Sequence, residues 1–255
     1  MIDSHCHFDF PDFDQDRELI WEQCRQLGVA ALVIPGVYPE QWSVARLHSE
    51  TLANVYFAVG LHPWWLDKVQ QLGSIAELMR GELEHPRCIA IGECGLDKVI
   101  AAPFDWQKQA FEQQLALACE RNKPLIIHVR KSHAETLALL KHAQPQKGGV
   151  IHGFSGSLEI AEAYWKLGFY LGVGGTITYE RASKTRQAIA AMPLEALVLE
   201  TDAPDMPLQG KQGERNSPLY LPEVGQALAD LKQLPLTDII QQTTDNSCRL
   251  FSIEM

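Results

Sequence analysis

The sequence contains no apolar run of the roughly 18 residues that a membrane-spanning helix needs. A secretory signal is also missing, because Asp3, His5 and His7 stand where a basic start and an apolar core would be. The six cysteines form neither a C-x-x-C pair nor a zinc-ribbon spacing, so we expect reduced thiols and no disulfide framework. These absences predict a cytoplasmic protein without a membrane segment.

Positive charge is also scarce. The chain has 22 Lys and Arg against 32 Asp and Glu, a formal net charge of −10. This argues against a broad, sequence-independent nucleic-acid surface, which needs a basic patch. It leaves room for a small cleft that processes phosphate esters, because bound divalent cations reverse the local charge.

Short apolar runs alternate with longer amphipathic segments along the chain. Eight apolar runs are predicted strands, and they begin at residues 2, 31, 55, 88, 125, 149, 169 and 197. Helices are predicted at 14–27, 105–121, 132–142, 157–167 and 180–191, with two closing helices within 220–251. The segment 205–218, rich in Gly, Pro and charge, is predicted to be a loop.

Apolar strands that alternate with helices indicate a parallel sheet. Eight such units in 255 residues fit a TIM (β/α)8 barrel, which we expect to form a single domain over 1–255. An open doubly wound sheet is the alternative, and it usually has a glycine-rich turn after its first strand. The first run is instead followed by F-D-F-P-D-F-D, which lacks glycine and favours the barrel.

Metal-binding residue types recur at the predicted carboxyl ends of several strands. They are His5 and His7 on the first strand, Glu93 on the fourth, His128 on the fifth, His152 on the sixth and Asp202 on the eighth. In a barrel, these strand ends meet at one mouth, where catalytic groups are recruited from different strands. The barrel prediction therefore brings four histidines and two carboxylates to one place.

The spacing of His5 and His7 is informative, because residues i and i+2 of a strand point to the same side. Both imidazoles are then expected inside the barrel, with Cys6 on the opposite side. Two buried imidazoles repel each other when protonated, whereas a divalent metal binds their neutral form. Two ordinary core histidines are the alternative, and four further ligand types at other strand ends disfavour it.

Six ligands exceed what one tetrahedral site with an open position needs, and they suit two ions that share a bridging carboxylate. We predict that one ion is held by His5, His7, Glu93 and Asp202, and the second by Glu93, His128 and His152. Mixed imidazole and carboxylate ligation suits Zn, Mn, Ni or Co, and suits Mg less well. Two such ions clamp a water and a substrate oxygen together, which indicates hydrolysis, particularly of phosphate esters.

The same residues lie in motifs that resemble the ordered signatures of the TatD family of metal-dependent hydrolases and DNases. The motifs are M-I-D-S-H-C-H, V-G-L-H-P, I-G-E-C-G-L-D, L-I-I-H-V-R, I-H-G-F-S-G, L-E-T-D-A-P and E-R-N-S-P. The resemblance implies a TIM barrel, a two-metal site with the same six ligands, and phosphodiester hydrolysis. In several members this is 3′-to-5′ removal of nucleotides from DNA. The implied partner is DNA or another phosphoester substrate, with no obligate protein partner.

Three positions near the motifs depart from the family pattern. Lys98 follows G-L-D, Lys131 follows H-V-R, and Asp205 follows T-D-A-P. None of them is a predicted ligand. These departures therefore bear on the substrate rather than on the metal site.

Two predicted catalytic roles go beyond metal ligation. Asp202, like other carboxylates on a metal, can accept the proton of an attacking water, while Glu93 bridges the ions. His62, in G-L-H-P, is expected in the site, in contact with a phosphate or a water molecule. A histidine held by its own proline turn is the alternative for His62.

Further side chains are candidates for substrate binding. Arg130 and Arg215 are expected to neutralise phosphate charge, for which the guanidinium offers bidentate geometry. Trp64 and Trp65 either stack on nucleotide bases or pack over the barrel rim.

Two other functions remain open from the sequence. An amidohydrolase-type enzyme that cuts C–N or lactone bonds shares the H-x-H pattern, but its binuclear members commonly bridge their metals with a modified lysine on the fourth strand. Here that strand has Glu93, which favours phosphodiester chemistry. A metal-stabilised binding protein without turnover is the second alternative.

Overall fold

The computed structural model describes residues 1–69 and 75–254, and eight parallel strands form its central sheet. Each strand pairs with its neighbour in chain order, as expected for a TIM barrel. The strands are β1 (Ile2–Asp3), β2 (Ala31–Ile34), β3 (Val55–Val59), β4 (Cys88–Asp97), β5 (Leu125–Arg130), β6 (Gly149–Ile151), β7 (Phe169–Val173) and β8 (Leu197–Leu199). The fold class and all eight predicted strands are confirmed.

Helices connect the strands and surround the sheet. They are α1 (Arg17–Gln26), α2 (Pro39–Thr51), α3 (Ile75–Leu83), α4 (Phe104–Arg121), α5 (His133–Ala143), α6 (Leu158–Lys166), α7 (Ser183–Ala191), α8 (Leu221–Lys232) and α9 (Leu236–Phe251). The predicted helices are all present, and 205–217 forms a loop as expected. The sequence interpretation missed α2, whose buried face mixes Gln41 and Ser49 with Trp42 and Ala45 and so shows no apolar stripe. It also missed α3.

Backbone hydrogen bonds connect the first strand to the segment around the last. The amide of Ser4 donates to the carbonyl of Leu199 at 3.0 Å, and the amide of Asp202 donates to the carbonyl of His5 at 2.9 Å. These bonds bring the two ends of the sheet together. They also place the histidine pair beside Asp202.

The core has two layers, because alternate strand residues face opposite sides of the sheet. Residues such as Leu32, Ile34 and Phe57 pack against the helices. The other set forms a separate inner cluster that includes Ala31, Val33, Ala58, Ala90, Ile126, Val150 and Val198. Leu250 and Phe251 of α9 belong to this inner cluster, so apolar residues cover that part of the barrel interior.

In the described part of the chain, no helix is both long enough and apolar enough to cross a membrane.

Candidate metal centre

The candidate ligands lie on or just beyond the strands, and the structure corrects several of their predicted positions. His5 and His7 follow β1 rather than lie within it, because β1 ends at Asp3 and the backbone then bonds to the segment after β8. Glu93 does not close β4, since this strand continues to Asp97. His128 lies within β5, His152 directly follows β6, and Asp202 lies three residues after β8.

Glu93 lies at the centre of the cluster, and its two carboxylate oxygens face different histidines. Oε2 lies 3.2 Å from Nε2 of His5 and 3.6 Å from Nε2 of His7. Oε1 lies 3.0 Å from His128 Nδ1, 3.0 Å from His152 Nε2 and 3.3 Å from His62 Nε2. The side chain is almost fully buried, so these contacts are made away from bulk water.

Asp202 completes the set on the side of the histidine pair. Its Oδ1 lies 3.4 Å from Nε2 of His5 and 3.7 Å from Nε2 of His7. The structure therefore brings all six predicted ligands together, and His62, which was predicted to lie in the site, is among them with Nε2 3.3 Å from Oε1 of Glu93. His152 is close to both sides, since its ring also stacks on that of His5 with centroids 3.9 Å apart.

The donor set fits a divalent cation. Three groups of donors lie within 4.8 Å of one another among residues 1–69 and 75–254: His5, His7 and Glu93; His5, His152 and Asp202; and His62, Glu93 and His128. Nε2 of His5 is buried and has no hydrogen-bond partner in the described chain, although a Glu93 oxygen lies close by. A buried polar atom left unpartnered is costly, and a cation between these donors would satisfy it.

The histidine pKa values show which imidazoles are neutral without a cation. Burial lowers the pKa of His5 to about 4, and burial also lowers the pKa of His7 and His62. These three rings are therefore neutral near pH 7, which is the form that binds a metal. Burial alone would lower the pKa of His152, but the interactions of its ring with the surrounding carboxyl groups, that of Glu93 first among them, outweigh burial and hold the pKa well above its usual value.

The two carboxylates are affected in opposite directions. Burial by itself raises the pKa of Glu93, but the interactions of its carboxylate with the surrounding imidazoles, that of His152 first among them, outweigh burial and hold the pKa well below the usual value. Burial, together with the negative charge of Glu93, raises the pKa of Asp202 to about 8 despite the opposing effect of His152. A nearby cation favours the ionised form of a carboxyl group. A bound metal would therefore lower the pKa of Asp202 and restore its negative charge.

Asp97 is a functional candidate that the sequence interpretation missed. Its fully buried carboxylate accepts from Nε1 of Trp64 at 2.8 Å through Oδ2, and Nε2 of His128 lies 3.2 Å from the same oxygen. His128 thus presents Nδ1 to Glu93 and Nε2 to Asp97, the arrangement of a metal-binding histidine oriented by a carboxylate. The available signal was an aspartate at the end of I-G-E-C-G-L-D, the motif that also contains Glu93.

Glu200 is the second missed residue. It is fully buried, and its Oε1 accepts from the amide of Gly153 at 2.6 Å and lies 3.6 Å from Nδ1 of His152. Its signal was a glutamate directly after the apolar run of β8, two residues before Asp202. A charged side chain at such a position needs a partner inside the barrel.

The predicted phosphate-binding arginines lie in different surroundings. Arg130 is half-exposed, with Nη1 3.9 Å from Oδ2 of Asp97, and therefore lies next to the centre. Arg215 forms a bidentate ion pair with Asp16, at 3.0 and 2.6 Å, and its guanidinium lies 4.9 Å from the centroid of the Phe13 ring. The structure does not bring Arg215 into contact with the candidate ligands, and its binding role stays a prediction.

The three residues that depart from the family pattern are all exposed. Nζ of Lys98 pairs with Oε1 of Glu135 at 2.5 Å. Lys131 is exposed and has a φ of +54°, and Asp205 is bonded through its amide to the carbonyl of Asp202. Asp205 therefore lies directly beside a candidate ligand.

The two tryptophans of G-L-H-P-W-W differ in their environments. Trp65 is partly buried and packs against Tyr38, with ring centroids 4.9 Å apart. Trp64 is 53% exposed, although its indole is bonded to Asp97. Packing accounts for Trp65, whereas the exposed ring of Trp64 lies beside the centre.

The chain is similar in sequence to a family of known proteins over nearly its whole length. The model of the family described as "TatD related DNase" matches residues 2–252. The chain is 41% identical over 255 residues to "Uncharacterized metal-dependent hydrolase YjjV" of Escherichia coli (strain K12), covering 99% of this chain and 98% of the relative. It is 44% identical over 260 residues to an uncharacterized metal-dependent hydrolase of Haemophilus influenzae, covering 99% of each.

A more distant relative has a more specific name. The chain is 31% identical over 265 residues to "3'-5' ssDNA/RNA exonuclease TatD" of Erwinia tasmaniensis, covering 99% of this chain and 100% of the relative. The crystal structure of E. coli YjjV superposes with a TM-score of 0.95 at 41% identity, covering 100% of this chain and 98% of that one. The similarity to YjjV therefore extends over the whole barrel.

Proposed function

The chain belongs to the TatD related DNase family of metal-dependent hydrolases, and on this premise we propose that it hydrolyses phosphodiester bonds in single-stranded DNA from the 3′ end. The relative from E. tasmaniensis named as a 3′-5′ ssDNA/RNA exonuclease supports the choice of bond and polarity. The cluster of imidazoles and carboxylates around Glu93 supports a hydrolytic centre of the same kind.

The single observation that carries this proposal is the division of contacts at Glu93. One carboxylate oxygen faces His5 and His7, and the other faces His128 and His152. Glu93, His5, His7 and Asp202 would hold one divalent cation, and Glu93, His128 and His152 would hold a second. When bound, such a pair of ions supplies Lewis acidity toward a phosphoryl oxygen and lowers the pKa of water.

The chain's own residues have distinct roles in the proposed reaction. Asp202 lies at the edge of the cluster, and its carboxylate accepts the proton that the attacking water loses. Nδ1 of His62 accepts from the amide of Trp64, so the proton of the neutral ring lies on Nε2, which can donate to Glu93 or to a substrate oxygen. Arg130, which is half-exposed beside Asp97, neutralises phosphate charge on the substrate.

The test is a nuclease assay on the protein reconstituted separately with Mg, Mn, Co, Ni and Zn. A single-stranded oligonucleotide labelled at its 5′ end should give a ladder of progressively shorter products, whereas a 3′ label should appear first as a mononucleotide. Asp202→Asn keeps the size of the side chain but removes the proton acceptor, and it should abolish product formation. Asp245→Asn on the exposed face of α9 is the matched control and should retain wild-type activity.

The alternatives are distinguished in the same experiment. A panel of lactones and cyclic amides tests the amidohydrolase-type activity, and binding of the labelled strand without product tests a non-catalytic role. Release of no nucleotide by the wild type with any of the five metals would contradict the proposed nuclease activity.

A further inference from the structure

We propose that Trp64 is a stacking platform for a base next to the scissile phosphodiester, and this inference rests on the proposed function. Trp64 has a large apolar ring that is 53% exposed, while Trp21 and Trp42 elsewhere in the fold are 3% and 2% exposed. Exposure alone does not single out Trp64, since Trp106 on α4 is 51% exposed, but Trp64 is also attached to residues beside the centre.

Trp64 is held at two points by residues that also contact the centre. Its indole Nε1 donates to Oδ2 of Asp97 at 2.8 Å, and His128 contacts that same oxygen. Its backbone amide donates to Nδ1 of His62 at 3.1 Å, and the rings of Trp64 and His62 lie edge to face with centroids 5.6 Å apart. The exposed ring is therefore fixed in position. It lies beside the ring of His62, whose Nε2 is 3.3 Å from Oε1 of Glu93.

A fixed aromatic face suits a nucleobase. Every base has a π-face, so stacking holds a strand without reading its sequence, and a pre-ordered ring loses little conformational entropy on binding. A chain with a net charge of −10 has few cations with which to hold a DNA backbone. Contacts to bases beside the centre therefore supply affinity for single strands that backbone charge does not.

The experiment compares two 5′-labelled single strands with the metal-loaded enzyme. One strand has ordinary bases throughout, and the other has tetrahydrofuran abasic residues on both sides of its last phosphodiester. We expect Trp64→Leu to lower kcat/KM on the base-containing strand by on the order of ten-fold or more, the usual scale for loss of one stacked base. On the abasic strand the same variant should lie within about two-fold of the wild type, because there is no base to lose.

Three controls separate stacking from a structural effect. Trp106 on α4 is similarly exposed, at 51%, so Trp106→Leu should leave the rates on both strands unchanged. Trp64→Phe keeps an aromatic face but lacks the Nε1 donor, and it should retain more activity on the base-containing strand than Trp64→Leu. Metal content, measured by mass spectrometry, should be the same in wild type and in Trp64→Leu.

Equal losses by Trp64→Leu on the two strands, or a loss of bound metal that accounts for the lower rate, would overturn the stacking role alone. A wild type that cleaves neither strand would overturn the proposed function and this inference together. The two failures are distinguishable, because the stacking role is tested only with a wild type that cleaves both strands.

Discussion

Glu200 lies behind His152, with Oε1 3.6 Å from Nδ1 of the imidazole, in a space that neighbouring glycines leave open. A Cβ added at Gly172 would lie 2.1 Å from Oε2 of Glu200, and one added at Gly174 would lie 3.4 Å from its Cγ. The amide of Gly153 donates to Oε1 and fixes the carboxylate. This geometry directs Nδ1 of His152 toward Glu200 and Nε2 toward Glu93.

Glu200→Gln should weaken metal binding, because the carboxylate that orients His152 loses its charge. Loss of such an outer partner typically lowers metal affinity by about 10- to 100-fold. The affinity of the chelator-treated protein for Zn²⁺ or Mn²⁺, measured by competition with a chromophoric chelator, checks this. Glu195→Gln, an exposed glutamate before β8, is the control and should bind like the wild type. An unchanged affinity for Glu200→Gln would show that the pair has no orienting role.

Glu93→Gln should remove more metal than His128→Ala does. Glu93 faces histidines through both oxygens, whereas Nδ1 of His128 contacts only Oε1. We expect Glu93→Gln to weaken the binding of both ions, and His128→Ala to weaken mainly the binding of one. The number of metal ions per chain after dialysis, measured by mass spectrometry, decides between these outcomes. The same metal content in both variants and in the wild type would contradict the bridging assignment.

The sequence was sufficient to predict the barrel and the meeting of the candidate ligands. Apolar runs that alternate with helices indicate parallel strands, and the barrel then fixes where the strand ends meet. His5, Glu93 and Asp202 were found in this way because each follows or interrupts an apolar run. Strand ends were less accurate, since β1 stops at Asp3 and β4 continues to Asp97.

Residues that act through another side chain could not be found by the same reasoning. Asp97 supports His128 from the adjacent strand β4, and Glu200 supports His152 across β7. Such pairs depend on register and on side-chain direction, which a period-2 pattern does not specify. The bidentate pair between Arg215 and Asp16 was missed for the same reason, since 199 positions separate the two residues.

The buried carboxyl group of Asp9 should make the stability of the metal-free protein depend on pH. Burial raises its pKa from 3.8 to about 7, against the lowering effects of Gln41 and Arg17. A buried acid with a raised pKa binds more protons in the folded chain than in the unfolded chain between these values. The free energy of unfolding therefore falls as the pH rises from about 4 to about 7.

Asp9→Asn should remove this contribution, because the amide does not titrate and can still accept from Nε2 of Gln41. Since one pKa unit corresponds to about 1.4 kcal/mol, the wild type should lose up to about 4 kcal/mol relative to Asp9→Asn between pH 4 and pH 8. Urea unfolding of both proteins in the presence of a chelator measures the difference. Asp3 and Asp202, whose pKa values burial also raises, are common to the two proteins and cancel. A difference that is independent of pH would contradict the prediction.

The cysteines should differ sharply in reactivity. All six are free, and only Cys119 is exposed, while Cys248 is partly buried. Burial raises the pKa of Cys24 and of Cys88 to about 12, so these thiols are protonated at neutral pH and shielded from reagents. A disulfide reagent such as DTNB should modify one thiol rapidly in the native protein and six after denaturation. Cys119→Ser should abolish the rapid phase, and a rapid phase that persists in this variant would assign it to another cysteine.

Arg215 and Asp16 connect the loop after β8 to the segment before α1, and the ion pair makes two roles for Arg215 separable. If the guanidinium serves mainly to hold the loop, Asp16→Ala and Arg215→Ala should change KM and thermal stability in the same direction, with the larger effect in Arg215→Ala because it also removes a hydrogen bond to the carbonyl of Asp12. If it neutralises a substrate phosphate, Asp16→Ala frees it, so that only Arg215→Ala raises KM.

We expect this parallel result, because Nη1 and Nη2 contact Asp16, Nη1 also donates to the carbonyl of Asp12, and the guanidinium lies over the Phe13 ring, so that a phosphate would compete with existing contacts. Steady-state kinetics of the two variants on one oligonucleotide, with thermal unfolding of each, is the measurement. Arg130→Ala provides the comparison, since Arg130 lies beside Asp97 at 3.9 Å and is half-exposed. A rise in KM for Arg215→Ala as large as that for Arg130→Ala, with Asp16→Ala unaffected, would return Arg215 to the substrate-binding residues.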